Sequence, residues 1–299
     1  MAADGKPYLS AHHAYARCVR PISPRHACYT SAVGEILIGT SGYSYDDWVG
    51  PVYPEGTHRG EFLPFYAHRF PFTELNFTYY QQPTGDSLRS IAAKTGPRFR
   101  FTVKAFRALT HDREPGWQRE AERFVDAVRA LQSVAHPESE QSHVDQLIGI
   151  LLQFPYSFHY TAENRRYLAS VCDALAYVPL FVEYRNAEWD HSSVWREMER
   201  RGLGLVIPDL PQLDGLPRTP PRLTAPSGYI RFHGRNADNW WQGSNVTRYD
   251  YLYSDSELAE WIGPIGDLSA KSETLVIAFN NHFNGQAVVN AEQLRQMLT

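Results

Sequence analysis

Cysteine is scarce in this chain. Cys18, Cys28 and Cys172 are the only three, too scattered to form a metal-type pair or a disulfide framework, so a disulfide scaffold is excluded and a reducing cytoplasm fits best. Long hydrophobic runs are absent too. The longest, Leu147–Leu152, falls far short of the ~18 to 20 residues that cross a bilayer, so no membrane partner is expected. Nor is there an excess of either charge: the net value is −4 and the pI about 6.3. That balance argues against non-specific nucleic-acid binding over the whole surface and leaves a local basic cleft open. Two catalytic signatures are missing as well. The turn after the first strand candidate reads GTSGYSYDDW from position 39, whose glycine spacing suits neither a dinucleotide nor a P-loop, and its Ser41 lacks the form of a nucleophile elbow. Ser41 is therefore expected to cap or to hydrogen-bond a ligand. What is present is a chain of 299 residues, 43% hydrophobic and 13% aromatic, ample for a large core and too apolar for disorder. A soluble globular chain is predicted.

Residues 1–34 have weak periodicity and a small basic excess from Lys6, Arg17, Arg20 and Arg25 against Asp4. They read as a flexible extension. A signal peptide would need a compact apolar stretch, which the segment lacks, while its acid-poor composition is compatible with a transit peptide. From residue 35 to 299, eight strand-like runs alternate with segments of helical period: 36–41, 72–77, 100–104, 147–154, 180–184, 203–207, 229–233 and 274–280. The spacing predicts helices over 118–134, over 162–176 behind Thr161, and over 193–201 ending at Gly202, with a last one starting at Asn290 and capped with the help of Gln293. Six prolines between Pro208 and Pro226 predict an irregular loop in place of the sixth helix. Eight apolar strands, each followed by a crossover, predict one α/β domain built as a single (β/α)8 TIM-type barrel.

Working residues in such barrels sit at the C-terminal ends of strands. Here those ends carry Glu74 and Asn76, Lys104, Gln153, Glu183 and Arg185, Asp209, Arg231 and His233, and Asn280 to His282. Residues two apart share a strand face, so TELN, FVEYR and YIRFH place charge inside the barrel. Charge there must be paired, so one outcome is a buried ion-pair network linking Glu74, Lys104, Glu183, Arg185 and Arg231 that plugs the barrel.

The words IGTSGYSYDDWVGPVYP, TELNFTYYQQP, FRFTVK, LLQFP, VEYRNAEW, RFHGR and FNNHFNGQAVVNA, in this order from about residue 36 to 298, resemble the domain of unknown function 72 (YecE-like) family. The resemblance implies a TIM-type barrel related in shape to the xylose isomerase and endonuclease IV barrels, and brings no established reaction. By position its pattern falls on Glu74, Asn76, Tyr80, Lys104, Gln153, Glu183, Arg185, Trp189, Arg231, His233, Gly234, Asn281, Gly285 and Asn290. Tyr43 stands where tryptophan is usual, and Val52-Tyr53-Pro54 where an aromatic pair precedes proline. Both changes are expected to affect a loop and not the chemistry.

Three chemistries fit these residues. A divalent metal would take Glu183, Asp209 and His233, but Arg185 and Arg231 share faces with those ligands and oppose a cation. A glycosidase pair would be Glu74 and Glu183, although Arg185 would hold Glu183 ionised. The favoured chemistry is an anion pocket in which Lys104, Arg185, Arg231 and Arg235 supply charge, Gln153, Asn281 and Asn76 supply hydrogen bonds, and Trp240 with Trp241 covers the ligand. Trp189 and Tyr80 join the ligand-binding set through the resemblance. His233 is the expected acid/base, with Glu74 or Glu183 as its carboxylate partner and Lys104 as electrophile or imine-forming nucleophile. His26, His111, His143 and His282 read as surface or loop residues, and Cys172 as core. The function expected is an enzyme doing acid/base chemistry on a phosphate- or carboxylate-bearing small molecule, with no cofactor called for. The alternatives are nucleic-acid binding in the same cleft and a metal-dependent isomerase or hydrolase.

Overall fold

The computed structural model describes residues 34–136 and 139–299; the expected extension, apart from Gly34, lies outside them. Eight parallel strands form the frame: β1 (Glu35–Ser41), β2 (Phe72–Leu75), β3 (Arg100–Lys104), β4 (Leu147–Gln153), β5 (Leu180–Glu183), β6 (Gly204–Asp209), β7 (Ser227–Phe232) and β8 (Thr274–Phe279). Each pairs with its neighbour in sequence and β8 pairs with β1, so the sheet closes. Around it run α1 (Phe62–Arg69), α2 (Gly85–Ala92), α3 (Trp117–Val128), α4 (Ala162–Ala174), α5 (Ser192–Arg201), α6 (Ile262–Ser269) and α7 (Gln286–Met297). The protein is a TIM-type barrel. No helix joins β6 to β7; the proline-rich segment there is irregular. Among the described residues no helix is long and apolar enough to cross a membrane.

Local chemistry explains most boundaries. The Thr161 hydroxyl accepts from Asn164 N at 3.1 Å and starts α4, while Gly202 at φ 64° ends α5. The last helix corrects the expectation. It begins at Gln286, and Asn290 lies inside it, because the Asn290 side chain clamps another segment: it accepts from Tyr253 N at 3.1 Å and donates to Tyr253 O at 2.9 Å. The second strand also stops early, at Leu75. The Thr78 hydroxyl sits between Leu75 O and Lys104 O, at 2.9 and 2.6 Å, and turns the chain into the one-turn helix Phe77–Tyr80.

The barrel interior holds Leu37, Phe72, Ile148, Leu151, Phe181, Val206, Tyr229, Val276 and Ala278. Phe181 fills the middle because its neighbours make room. A Cβ at Gly204 would lie 2.5 Å from the Phe181 ring, and one at Gly149 would lie 2.6 Å from Pro179 O and 2.9 Å from that ring. Gly204→Ala should therefore overpack the interior and cost about 1–3 kcal/mol. Tm measured by calorimetry should fall several degrees, and adding Phe181→Leu should recover part of the loss. An unchanged Tm in the single variant would contradict this packing.

Candidate functional site

Strand register carries the charged residues to one level of the barrel. Ser41 pairs with Glu74, Glu74 with Thr102, Gln153 with Glu183, and Arg231 with both Pro208 and Ala278. Registered partners in a parallel ladder share a face, so Glu74, Glu183 and Arg231 all point inward above the apolar layer. Arg231 is 1% exposed and both glutamates are fully buried. The Arg231 guanidinium donates from Nη2 and Nε to the two Glu74 oxygens at 2.6 and 2.9 Å, and from Nη1 to Glu183 Oε2 at 2.5 Å. Arg185 Nε donates to the other Glu183 oxygen at 2.5 Å. Tyr229 joins the layers by donating to Glu74 at 2.5 Å.

These two carboxylates and two guanidiniums are balanced in charge. Burial would raise the Glu183 carboxyl, but Arg185 and Arg231 outweigh it and hold it well below 4.5. Burial lowers His233, Arg185 adds to the effect, and the ring stays neutral well below 6.5 despite the nearby Glu183. Asn280 Nδ2 lies 3.0 Å from His233 Nδ1 and Glu183 Oε1 lies 3.2 Å from Nε2, while Arg185 Nη2 lies 3.2 Å from each ring nitrogen.

Above this layer opens a cavity of about 570 Å3. Of the residues given site roles from sequence, Glu74, Asn76, Tyr80, Lys104, Gln153, Arg185, Trp240 and Trp241 line it. Arg231, His233 and Glu183 form its foundation and are not on its wall. Lys104 differs from the arginines: among the described residues it makes no ion pair, and its Nζ lies 4.8 Å over the Tyr79 ring. Burial, then Arg231, lower its amine to about 8. Among the described residues the lining cations are Lys104, Arg185 and Arg248, and the one lining carboxylate is Glu74, already held by Arg231.

Other predicted residues lie elsewhere. Trp189 is buried, donates to Phe158 O at 2.6 Å and stacks on Tyr184 with centroids 4.5 Å apart. Asn281 donates to Tyr251 O and to Asn290 Oδ1, both at 2.8 Å, clipping the segment before β8 to α7. Asp209 sits in register with Phe232, one residue out of phase with Arg231, and so points outside the barrel. There Arg235 binds it at 2.7 Å, Tyr253 donates at 2.6 Å and Trp261 at 2.9 Å. Glu183, Asp209 and His233 thus fall on two faces with their carboxylates engaged, a poor donor set for a divalent ion. No cluster of three or more such ligands occurs among the described residues. The Ser41 hydroxyl accepts from Arg231 Nη2 at 3.2 Å.

Several wall residues escaped the sequence reading. Arg248 reaches the cavity from the turn Asn245–Arg248, its Nε buried without a partner and its guanidinium 5.8 Å from the Trp240 ring. His111 and His282, read as surface or loop residues, line the cavity, as does Tyr43, where the departure from the family pattern was expected to touch only a loop. Burial, then Lys104, lower His111 to about 4, and burial lowers His282. Loops carry no periodicity to betray which side chain turns inward. The one available signal was their position after β1, β3, β7 and β8.

Unfolding exposes these groups, so stability is linked to pH. The unfolded chain takes a proton at His233 near 6.5 and at Glu183 near 4.5, where the folded protein does not. Their contribution is complete above those values and is lost as pH falls towards the folded ones. Tm should decline from about pH 6.5 downward, and His233→Gln should flatten the first part of the decline. A Tm constant between about pH 7 and about pH 5 would contradict a neutral buried imidazole.

The comparisons agree with this architecture. The family described as proteins of unknown function DUF72 matches residues 37–299. The UPF0759 protein YunF of Bacillus subtilis (strain 168) is 28% identical over 274 residues, spanning 88% of this chain and 94% of its own. The crystal structure of a DUF72 family protein from Thermotoga maritima is 35% identical with a TM-score of 0.78, covering 88% of this chain and 99% of that one. A second, from Enterococcus faecalis, is 26% identical with a TM-score of 0.73, covering 88% and 95%. With its barrel residues matched almost throughout, this chain belongs to the DUF72 family.

Proposed function

We propose that the barrel mouth binds a small molecule bearing a phosphate or carboxylate and performs acid/base chemistry on it. One observation carries this reading: among the described residues the cavity wall presents Lys104 and Arg248, neither of them in an ion pair, beside Arg185, which Glu183 already partners, and one carboxylate, Glu74, which Arg231 holds. An anion entering there meets donors without a competing acceptor. Lys104, with its amine near 8, is the cavity-facing group that can give or take a proton close to neutral pH. Glu74, Glu183 and His233 act in this reading as positioning residues that hold Arg231 and Arg185. The exposed rings of Phe77, Tyr80, Tyr156 and Trp241 on the same wall suit a ligand with a flat or apolar part. A cytoplasmic setting accords with few cysteines, Cys172 being buried with its thiol pushed up to about 12.

Inorganic phosphate is the simplest probe. It should raise the Tm of the wild-type protein and bind Arg248→Ala or Lys104→Met about 10 to 100 times more weakly, the value of one lost charged hydrogen bond. Unchanged affinity in both variants would refute the pocket. Oligonucleotide binding whose affinity falls steeply with salt, with no response to phosphate, would favour a nucleic-acid ligand in its place.

A further inference from the structure

We propose that Lys104 Nζ is a nucleophile that forms an imine with the carbonyl carbon of an aldehyde or ketone carrying a phosphate or carboxylate. The inference rests on the anion-binding reading and narrows its ligand class. The chain has four lysines. Lys94 and Lys271 are exposed, whereas Lys104 ends a barrel strand and lines the cavity.

Its surroundings fit it for more than a plain cationic clamp. Nearby Glu74 and Glu183 are committed to Arg231 and Arg185, so among the described residues no carboxylate forms an ion pair with the ammonium, and its Nζ lies over the Tyr79 face. Burial and then Arg231 bring the amine down to about 8 against the pull of Glu74 and Glu183, which raises the uncharged fraction near neutral pH. An arginine at this position would supply a permanent cation; a lysine supplies a lone pair. Arg185 and Arg248 on the same wall remain to grip the anionic group, leaving the carbonyl to Lys104. Tyr79 in turn packs edge-on with His111, centroids 4.8 Å apart, whose ring burial and then Lys104 keep neutral.

The step balances without oxidant or reductant. The Nζ lone pair adds to the carbonyl carbon, and one N–H proton passes to the former carbonyl oxygen to give a carbinolamine. The hydroxyl then leaves with the remaining N–H proton as water, and the C=N bond forms. Protonation of the imine gives a cation that the Tyr79 ring face can receive.

Pyridoxal 5′-phosphate, an aldehyde that carries a phosphate, serves as the probe. The full chain is incubated with it at limiting concentration, reduced with borohydride, and the modified lysines are mapped by peptide mass spectrometry. Lys104 should be modified about tenfold or more faster than an amine of ordinary pKa, near ~10.4, half-maximally near pH 8, and inorganic phosphate should slow it. Lys104→Arg should lose this adduct while keeping the Tm shift with phosphate. Modification of Lys104 no faster than that of Lys94 and Lys271, with the phosphate shift intact, overturns the nucleophile and leaves the anion pocket standing. Rapid modification of Lys104 with no phosphate shift in the wild-type protein supports the nucleophile and overturns the pocket.

Discussion

The chain of ion pairs from Glu74 through Arg231 and Glu183 to Arg185 is the constraint on which the rest of this barrel depends. It sits where the apolar interior ends, with Glu74, Glu183 and Arg231 almost wholly buried. Two carboxylates and two guanidiniums cancel there, with both Glu183 oxygens and both Glu74 oxygens occupied. Such a network is costly to assemble and costly to break: an unpaired member left behind is worth about 3–5 kcal/mol of lost stability. Arg231 cannot swing towards a ligand without exposing two buried carboxylates to that penalty. The network thus acts as a floor, and the Arg231 charge becomes a fixed field beneath the cavity.

That field decides the character of what lies above. Lys104 is lowered by burial and then Arg231 against the opposing pull of Glu74 and Glu183, while His233 is kept neutral by burial and Arg185 despite Glu183. Two clips on the outside of the barrel position the covering loop. Asp209 gathers Arg235, Tyr253 and Trp261, and Asn290 fixes Tyr253 and Asn281. Between them they anchor the long β7–β8 connection from which Trp240 and Arg248 reach the cavity. The residues that look most functional in the sequence are therefore divided between a wall, a foundation and a clip.

The barrel was legible because its strands are unusually apolar runs ending in charge, and because six prolines mark the missing helix. The convergence of Glu74, Lys104, Glu183, Arg185 and Arg231 followed from strand-end position alone. Face was harder to read. Asp209 lies one residue out of phase with its neighbour's inward positions, and a strand predicted over 203–207 gives no means of seeing that. Asn290 resembled a helix cap because capping and clamping use the same amide chemistry. Arg248, His111 and His282 sit on loops whose inward or outward turn depends on tertiary contacts that local sequence does not encode.

The central claim is that Lys104, Arg185 and Arg248 surround the place where an anion binds above a neutralised floor. A crystal of the wild-type protein soaked in tungstate, with anomalous scattering used to locate the ion, tests it directly. The account predicts an anomalous peak within hydrogen-bond reach of Lys104 Nζ and at least one of the two guanidiniums. A cavity without such a peak while tungstate occupies other surface sites would contradict it.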